Sequence, residues 1–170
     1  MAIAISIQQY LNENGVDYDS FEHRPTSSSL ESARAGFVPS DKLAKGVVLR
    51  NQEGYLLTVL PASQMTDLNK VGGLLHQPVA LALEEEIIAL FPDCEEGAVP
   101  PVGAAYGLHT IVDESLDREE DVYFEAGDHR TLVHLSGSQF LKLMQKSSHA
   151  KICSAPPKVD SELIIGYYGA

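Results

Sequence analysis

The heptapeptide Gly97-Ala98-Val99-Pro100-Pro101-Val102-Gly103 holds two glycines and two prolines, so it suits neither a helix nor a central strand. Proline removes a backbone donor and fixes φ, while glycine opens backbone conformations closed to other residues. Such a loop is stiff at Pro100 and Pro101 and lets another group come close at its glycines. Alone it reads as a rigid connector, as most Gly/Pro clusters do. Upstream lies an acid-first helix pattern, Glu84-Glu85-Glu86-Ile87-Ile88-Ala89-Leu90-Phe91, stopped by Pro92. Its glutamates suit the positive end of the helix dipole. The acidic run Asp93-Cys94-Glu95-Glu96 follows. Downstream, Tyr106-Gly107 leads to a strand, Thr110-Ile111-Val112-Asp113.

Working outward, hairpins and helices interleave. Lys45-Gly46-Val47-Val48-Leu49-Arg50 reads as a buried strand, Asn51-Gln52-Glu53-Gly54 as a turn, and residues 55–60 as the return strand. Val122-Tyr123-Phe124-Glu125 and Thr131-Leu132-Val133-His134-Leu135 form a second pair about the turn Gly127-Asp128-His129. Residues 16–22 and 79–83 read as further strands. Helices are expected from a Ser6 cap to about Asn14, from Ser28 in capping-box register with Glu31 to Gly36, from Thr66-Asp67 to Gly72-Gly73, and after Ser136-Gly137-Ser138. Pro39-Ser40-Asp41 looks like a cap for a turn carrying Leu43. No regular strand–helix–strand rhythm appears. The pattern favours one α+β domain built on a mixed sheet, curled toward a barrel, with helices around it. That domain is expected over residues 1–146. Residues 147–170 are expected as a partly linker-like extension, through Ser147-Ser148 and Pro156-Pro157, ending in an apolar tail with Leu163-Ile164-Ile165 and Tyr167-Tyr168.

Composition narrows the function classes. The chain has 170 residues, enough for one sizeable core. No apolar run approaches the roughly 20 residues that span a bilayer. The N-terminus lacks a basic n-region, and two distant cysteines, Cys94 and Cys153, show no metal spacing. The cysteines leave a disulfide open without implying one; reduced thiols and a cytoplasmic location are expected. The net charge is −12. Residues 71–125 carry thirteen Asp and Glu against one basic residue, Arg118, so the excess sits in the middle third. Such a chain argues against DNA or strong direct nucleic-acid binding, although the two ends of the chain could still build a neutral-to-basic face.

Several residues suit chemistry. Lys45 opens an apolar strand. A lone lysine there usually snorkels to the surface, but at a pocket mouth its ammonium holds a carbonyl or phosphate oxygen, or acts as a nucleophile once desolvated. His129 sits in a turn, where an imidazole is either solvated or catalytic; His134, on the strand, reads as a packed, hydrogen-bonded residue. A metal site from Asp128, His129 and His134 has the wrong spacing. Cys94 reads as a small buried hydrophobe rather than a nucleophile. No nucleotide-binding glycine motif appears.

Together the segments Ala44-Lys45-Gly46-Val47-Val48-Leu49, Leu60-Pro61-Ala62-Ser63, residues 91–103, Val112-Asp113 and Phe124-Glu125-Ala126-Gly127-Asp128-His129 resemble the YbaK/prolyl-tRNA-synthetase-associated editing domain family, over about residues 5–145. The most specific parts are Lys45, the Gly97-x-x-x-Pro101 loop and Gly127-x-His129. The resemblance implies a single α+β domain with a barrel-like mixed sheet. It also implies hydrolysis of the ester between a wrong amino acid and the terminal adenosine of tRNA, without metal, cofactor or protein nucleophile. Members clear alanine or cysteine, among others, mostly from tRNA for proline. Lys45 would hold the carbonyl oxygen, the amino acid or the terminal phosphate. Backbone N–H groups of Gly97, Ala98 and Val99 would face the carbonyl, with Pro100, Pro101 and Gly103 shaping the loop. His129 would orient a water or a ribose hydroxyl, and Thr26 and Ser28 resemble pocket-side hydroxyls. The implied partners are the 3′ end of a mischarged tRNA and prolyl-tRNA synthetase. Two other readings remain: a non-catalytic module binding a tRNA end or a synthetase, and a hydrolase of another small activated ester.

Overall fold

In the computed structural model, which describes residues 3–156, ten strands and five α-helices are laid out around one mixed sheet. The sheet carries β1 (Asp19–Glu22), β2 (Leu43–Asn51), β3 (Gly54–Pro61), β5 (Ala80–Leu81), β6 (His109–Asp113), β7 (Asp121–Glu125), β8 (Thr131–Ser136) and β9 (Ser148–Ala150). Its hydrogen-bonded path runs β1-β8-β7-β2-β3-β6-β9, with β5 branching from β2. The two hairpins read from the sequence form antiparallel pairs, β2 with β3 and β7 with β8. Parallel contacts join them: β7 lies against β2, and β6 joins β3 to β9. This is the expected α+β domain with a mixed sheet.

The helices are α1 (Ile5–Glu13), α2 (Ser29–Ala35), α3 (Leu68–Leu75), α4 (Glu84–Leu90) and α5 (Gly137–Leu143). The largest core cluster joins Ile7 and Leu11 of α1, Leu57 and Val59 of β3, Phe124 of β7, and Phe140 of α5, with Phe91 and Val102 from the two ends of the Gly/Pro segment. Three caps follow the sequence. Ser28 Oγ accepts from the Glu31 N–H, Asp67 accepts from the N–H groups of Asn69 and Lys70, and Ser136 Oγ accepts from the Gln139 N–H.

Several local expectations change. Ser6 does not cap α1; the cap position is Ala4, two residues earlier, and the Ser6 N–H donates instead to Asp93 Oδ2 at 2.9 Å. Helix α3 continues through Gly72 and Gly73 and stops at His76, which takes the left-handed conformation with φ +55°. Leu43 belongs to β2 rather than to a capped turn. The strands expected over 16–22 and 79–83 shrink to β1 and the two-residue β5. Ser147-Ser148 is not linker. Ser148 opens β9, which pairs with β6, while β10 (Cys153–Ser154) pairs with β4 (Met65–Thr66). Between them Ile152 is fully buried, and its N–H donates to Asp113 Oδ1 at 2.9 Å. One buried apolar anchor and a side-chain acceptor 39 residues away hold a segment whose local composition is loop-like. The apolar tail expected over 163–168 lies outside the described residues.

Candidate active site

Strand β2 changes partners along its length, and a cavity opens where it does so. Leu43 and Ala44 pair with β7, Leu49 and Arg50 pair with β5 on the same side, and the edge between them is uncovered. The Tyr123 N–H donates to Lys42 O and the Ala82 N–H donates to Val48 O, so even-numbered residues of β2 turn their backbone groups to that side. Two-residue alternation then leaves the N–H and C=O of Gly46 facing the gap. A cavity of about 270 Å³ fills it, and its walls come from five parts of the chain: the cap Ser28 and Ser32 of α2, residues 44–48 of β2, Ala82 with Glu84 and Ile87 of α4, residues 97–99, and Glu125 with His129.

Three of the sequence-predicted groups therefore meet around one cavity: Lys45, Gly97-Ala98-Val99 and His129, with Ser28 beside them. Lys45 is half-buried. Burial pulls its ammonium below the ordinary lysine value, offset in part by Cys153. Its Nζ donates to Ala62 O at 3.3 Å and meets no carboxylate among the described residues. It is a desolvated cation with donors to spare.

The Gly/Pro loop is held from two sides. Gly97 has φ +81°, and a Cβ there would stand 3.5 Å from His129 Cε1. On the strand side, a Cβ on Gly46 would stand 3.4 Å from both Pro101 Cα and Val99 Cγ1. The loop thus lies directly across β2 at its one glycine. Pro100 and Pro101 are buried behind the cavity wall rather than in it. Gly103 is farther still: it begins a 3₁₀ turn (Gly103–Tyr106), and a Cβ there would stand 2.0 Å from Thr110 Oγ1, so this glycine serves packing. The Ala98 N–H does not face the cavity as a free donor; it donates to Glu95 O at 3.0 Å and closes the loop's own turn. Gly97 and Val99 keep N–H groups without a partner among the described residues.

His129 is a latch in this geometry. Its Nε2 donates to Glu96 O at 2.6 Å, and the Glu95 N–H donates to Gly127 O at 2.7 Å, tying the hairpin turn to the loop. Only Nδ1 remains for a water or a ribose hydroxyl. Gly127, at φ +106°, permits the approach, since a Cβ would come within 2.7 Å of Ala4 Cβ and 3.2 Å of Cys94 Sγ. Asp128 accepts from the N–H groups of Arg130 and Thr131, so its carboxylate shapes the turn. Thr26 lies behind the wall, its Oγ1 2.6 Å from Ser32 Oγ. Cys94 is half-buried with its thiol pushed up to about 11, first by burial, which keeps it a thiol at neutral pH.

Three site residues escaped the sequence reading. Gly46 was read only as part of a strand. Glu125 was read as the end of another, yet it is 92% buried at the cavity floor. Its partner is His23, whose side chain has no exposure: Nε2 lies 3.1 Å from Glu125 Oε1, and Nδ1 donates to Arg24 O at 2.6 Å. Burial raises the Glu125 carboxyl above its usual range, against opposing effects of Ser32, His23 and His129. The nearest available signal was an acid at the end of an apolar strand, just before the Gly-x-His turn. The histidine lies 102 residues upstream, a separation no local pattern reveals.

Known proteins bear on this geometry. The model of the aminoacyl-tRNA editing domain matches residues 23–143. None of the curated proteins matches the chain. A solved structure described as a proposed trans-editing enzyme for prolyl tRNA synthetase is 25% identical, with a TM-score of 0.78, over 89% of this chain and 97% of that one. A scaffold protein made by computational epitope backbone grafting shows the same identity, TM-score and coverage. The hypothetical protein APE2540, 21% identical with a TM-score of 0.78 over 88% of this chain and 99% of its own, supports the fold alone. The family match spans the cavity walls from His23 through His129, and this chain belongs to the aminoacyl-tRNA editing domain family.

Proposed function

We propose that the protein is a trans-editing hydrolase that removes a small amino acid, such as alanine or cysteine, from mischarged tRNA for proline. The observation that carries the reading is the convergence of Lys45, Gly97-Ala98-Val99 and His129 on one small cavity. An aminoacyl ester is already activated, so the protein has only to hold the carbonyl, stabilise the developing oxyanion and place a water. Water adds to the ester carbonyl, the tetrahedral oxyanion collapses, and the 3′-oxygen leaves, taking up the proton that the water lost. The products are the free amino acid and a tRNA with a free 3′-hydroxyl. The N–H groups of Gly97 and Val99 face the carbonyl oxygen, and Lys45 supplies positive charge at the same end. The substrate's own 2′-hydroxyl carries the proton between water and leaving oxygen. His129, with Nε2 engaged by Glu96 O, keeps the loop in place and offers Nδ1 to that hydroxyl.

A cavity of about 270 Å³ suits a short side chain. The acid excess of residues 71–125 weakens direct tRNA binding and favours delivery of the acceptor end with help from a synthetase. The test is deacylation of a panel of mischarged tRNAs by the purified protein. Hydrolysis of Ala- or Cys-tRNA for proline well above the spontaneous rate is expected. Tight binding of tRNA ends with no hydrolysis would turn the reading into that of a non-catalytic module.

A further inference from the structure

The posture of Lys45 depends on a part of the chain about a hundred residues further on. Lys45 Nζ donates to Ala62 O at 3.3 Å, and Ala62 sits in the turn that leads from β3 into β4. The only strand partner of β4 among the described residues is β10, through Thr66 with Cys153 and Met65 with Ser154. Strand β4 is tied back to β2 as well. Thr58 Oγ1 donates to Val47 O at 3.2 Å, so the Thr66 hydroxyl is the donor in its 3.1 Å bond to Thr58 Oγ1. Val47 lines the cavity and packs against the cluster that holds the fully buried Ile152. The segment carrying Ile152 is firmly fixed. The Ile152 N–H donates to Asp113 Oδ1 at 2.9 Å, Ile152 O accepts from the Asp67 N–H at 2.8 Å, and Cys153 O accepts from Lys70 Nζ at 3.0 Å. Cys153 lies close enough to Lys45 to act on its charge. Burial first pushes the Cys153 thiol up to about 11, so at neutral pH it is an uncharged neighbour of the ammonium. The other titratable groups around Lys45 are Glu125 of β7, His129 of the turn and the exposed Glu84 of α4. No ion pair among the described residues includes Lys45. Both β9 and β10 lie beyond residue 143, where the match to the editing-domain family ends.

We propose that the segment from Ser148 to Ser154 is a positioning element of the active site, and that Ile152 is the positioning residue, acting on catalysis through Lys45. This rests on the deacylase reading above, in which Lys45 supplies charge at the ester carbonyl. Strand β10 holds β4, β4 holds the turn that presents Ala62 O, and Ala62 O fixes the end of the Lys45 side chain. Ile152 fills the space beneath Val47, so the strand that carries Lys45 cannot settle inward. Close-packed interiors transmit such constraints over several residues. A group that must meet a developing charge needs this kind of support from residues that never touch the substrate. The same packing keeps water from one side of Lys45, in line with the pull of burial on its ammonium.

The test crosses Ile152 with Lys45. Single-turnover hydrolysis of alanyl-tRNA is measured for the wild type, Ile152→Ala and Ile152→Val, each with and without Lys45→Ala, over a range of protein concentrations. Ile152→Ala should lower the saturating rate about tenfold, the cost of a reacting group shifted by a fraction of an ångström, and Ile152→Val about two- to threefold. The half-saturating concentration should change by less than about twofold, since the loss lies in the reaction and not in binding. In the Lys45→Ala background both losses should vanish, because the two residues act as one unit. The second readout needs no catalysis. Lysines are reductively methylated with carbon-13 formaldehyde, and the Lys45 resonance, identified by its absence from Lys45→Ala, is followed with pH. It should titrate below the exposed lysines in the wild type and closer to them in the Ile152 variants. Losses that persist in full without Lys45 would mark a merely structural role and overturn the proposal. So would an unchanged saturating rate or an unmoved Lys45 titration in folded Ile152→Ala, with Ile152→Val taking its place if the alanine variant does not fold. If the wild type hydrolyses no charged tRNA, the deacylase reading fails, and the titration alone decides whether Ile152 positions Lys45.

Discussion

Gly46→Ala isolates the contact between β2 and the Gly/Pro loop. Gly46 has no positive φ, so alanine meets no backbone strain there. Its Cβ would stand 3.1 Å from Leu57 Cδ1 and 3.4 Å from Pro101 Cα and Val99 Cγ1. Leu57 is fully buried, so its side chain and the loop on the other side must share a shift of a few tenths of an ångström. Overpacking of this kind costs about 1–3 kcal/mol. Replacing glycine in a strand returns about 0.5–1 kcal/mol through reduced chain entropy. The net loss is then about 0–2.5 kcal/mol, small enough for the domain to stay folded. The effect on chemistry should be larger than this suggests, because Gly97 and Val99 sit on the displaced loop. A shift of an ångström in a reacting geometry can cost about 100-fold, and a fraction of that shift roughly tenfold. Urea denaturation and single-turnover deacylation, run on the same preparation, separate the two effects. A Gly46→Ala protein with wild-type deacylation would refute the idea that the loop's seat on β2 sets the site geometry.

Other predictions concern the latch and the sheet. Gly127→Ala combines φ +106° with a 2.7 Å approach to Ala4 Cβ, and should lower stability by about 2–5 kcal/mol in urea denaturation; an unchanged midpoint would contradict the tight turn. His129→Gln keeps an N–H donor for Glu96 O and should retain activity within about threefold, whereas His129→Ala should lose about fivefold or more. Equal, severe losses in both variants would point to imidazole chemistry rather than a latch. His134 bridges Asp19 and Asp121 at 2.8 Å each and stacks on Tyr123. Burial alone would lower its pKa, but the hydrogen bonds and charges of Asp121 and Asp19 outweigh it and raise it. A raised folded value means the bridge stabilises fully below the unfolded histidine pKa of about 6.5, and fades as pH rises through the folded value. The stability gap between wild type and His134→Gln should therefore be wider at pH 5.5 than at pH 9, and a gap that grows with pH would reverse this sign.

Both hairpins were legible because their turns, Asn51-Gln52-Glu53-Gly54 and Gly127-Asp128-His129, stand between runs of strand-forming residues. Helix α4 was legible from its acid-first pattern and Pro92. The site's outline was legible because its backbone parts lie in motifs of a few residues. What pairs across long separations was not. The partner change of β2 depends on where β5 begins and where β7 lies, about thirty and eighty residues further along the chain. The His23–Glu125 contact depends on β1 lying against β8, and β9 on a single buried Ile152. Even within the loop, the loss of the Ala98 N–H to Glu95 O follows from a turn geometry that Gly and Pro permit without fixing it.

The central claim is that the aminoacyl ester is held and hydrolysed between β2 and the 97–101 loop, and its most direct test is Lys45→Ala. Lys45 is the half-buried, carboxylate-free cation of that cavity, and a charge-assisted hydrogen bond there is worth at least about tenfold in rate. Single-turnover deacylation of Ala-tRNA for proline should fall at least tenfold in a folded Lys45→Ala protein. Hydrolysis at the wild-type rate would place the chemistry elsewhere.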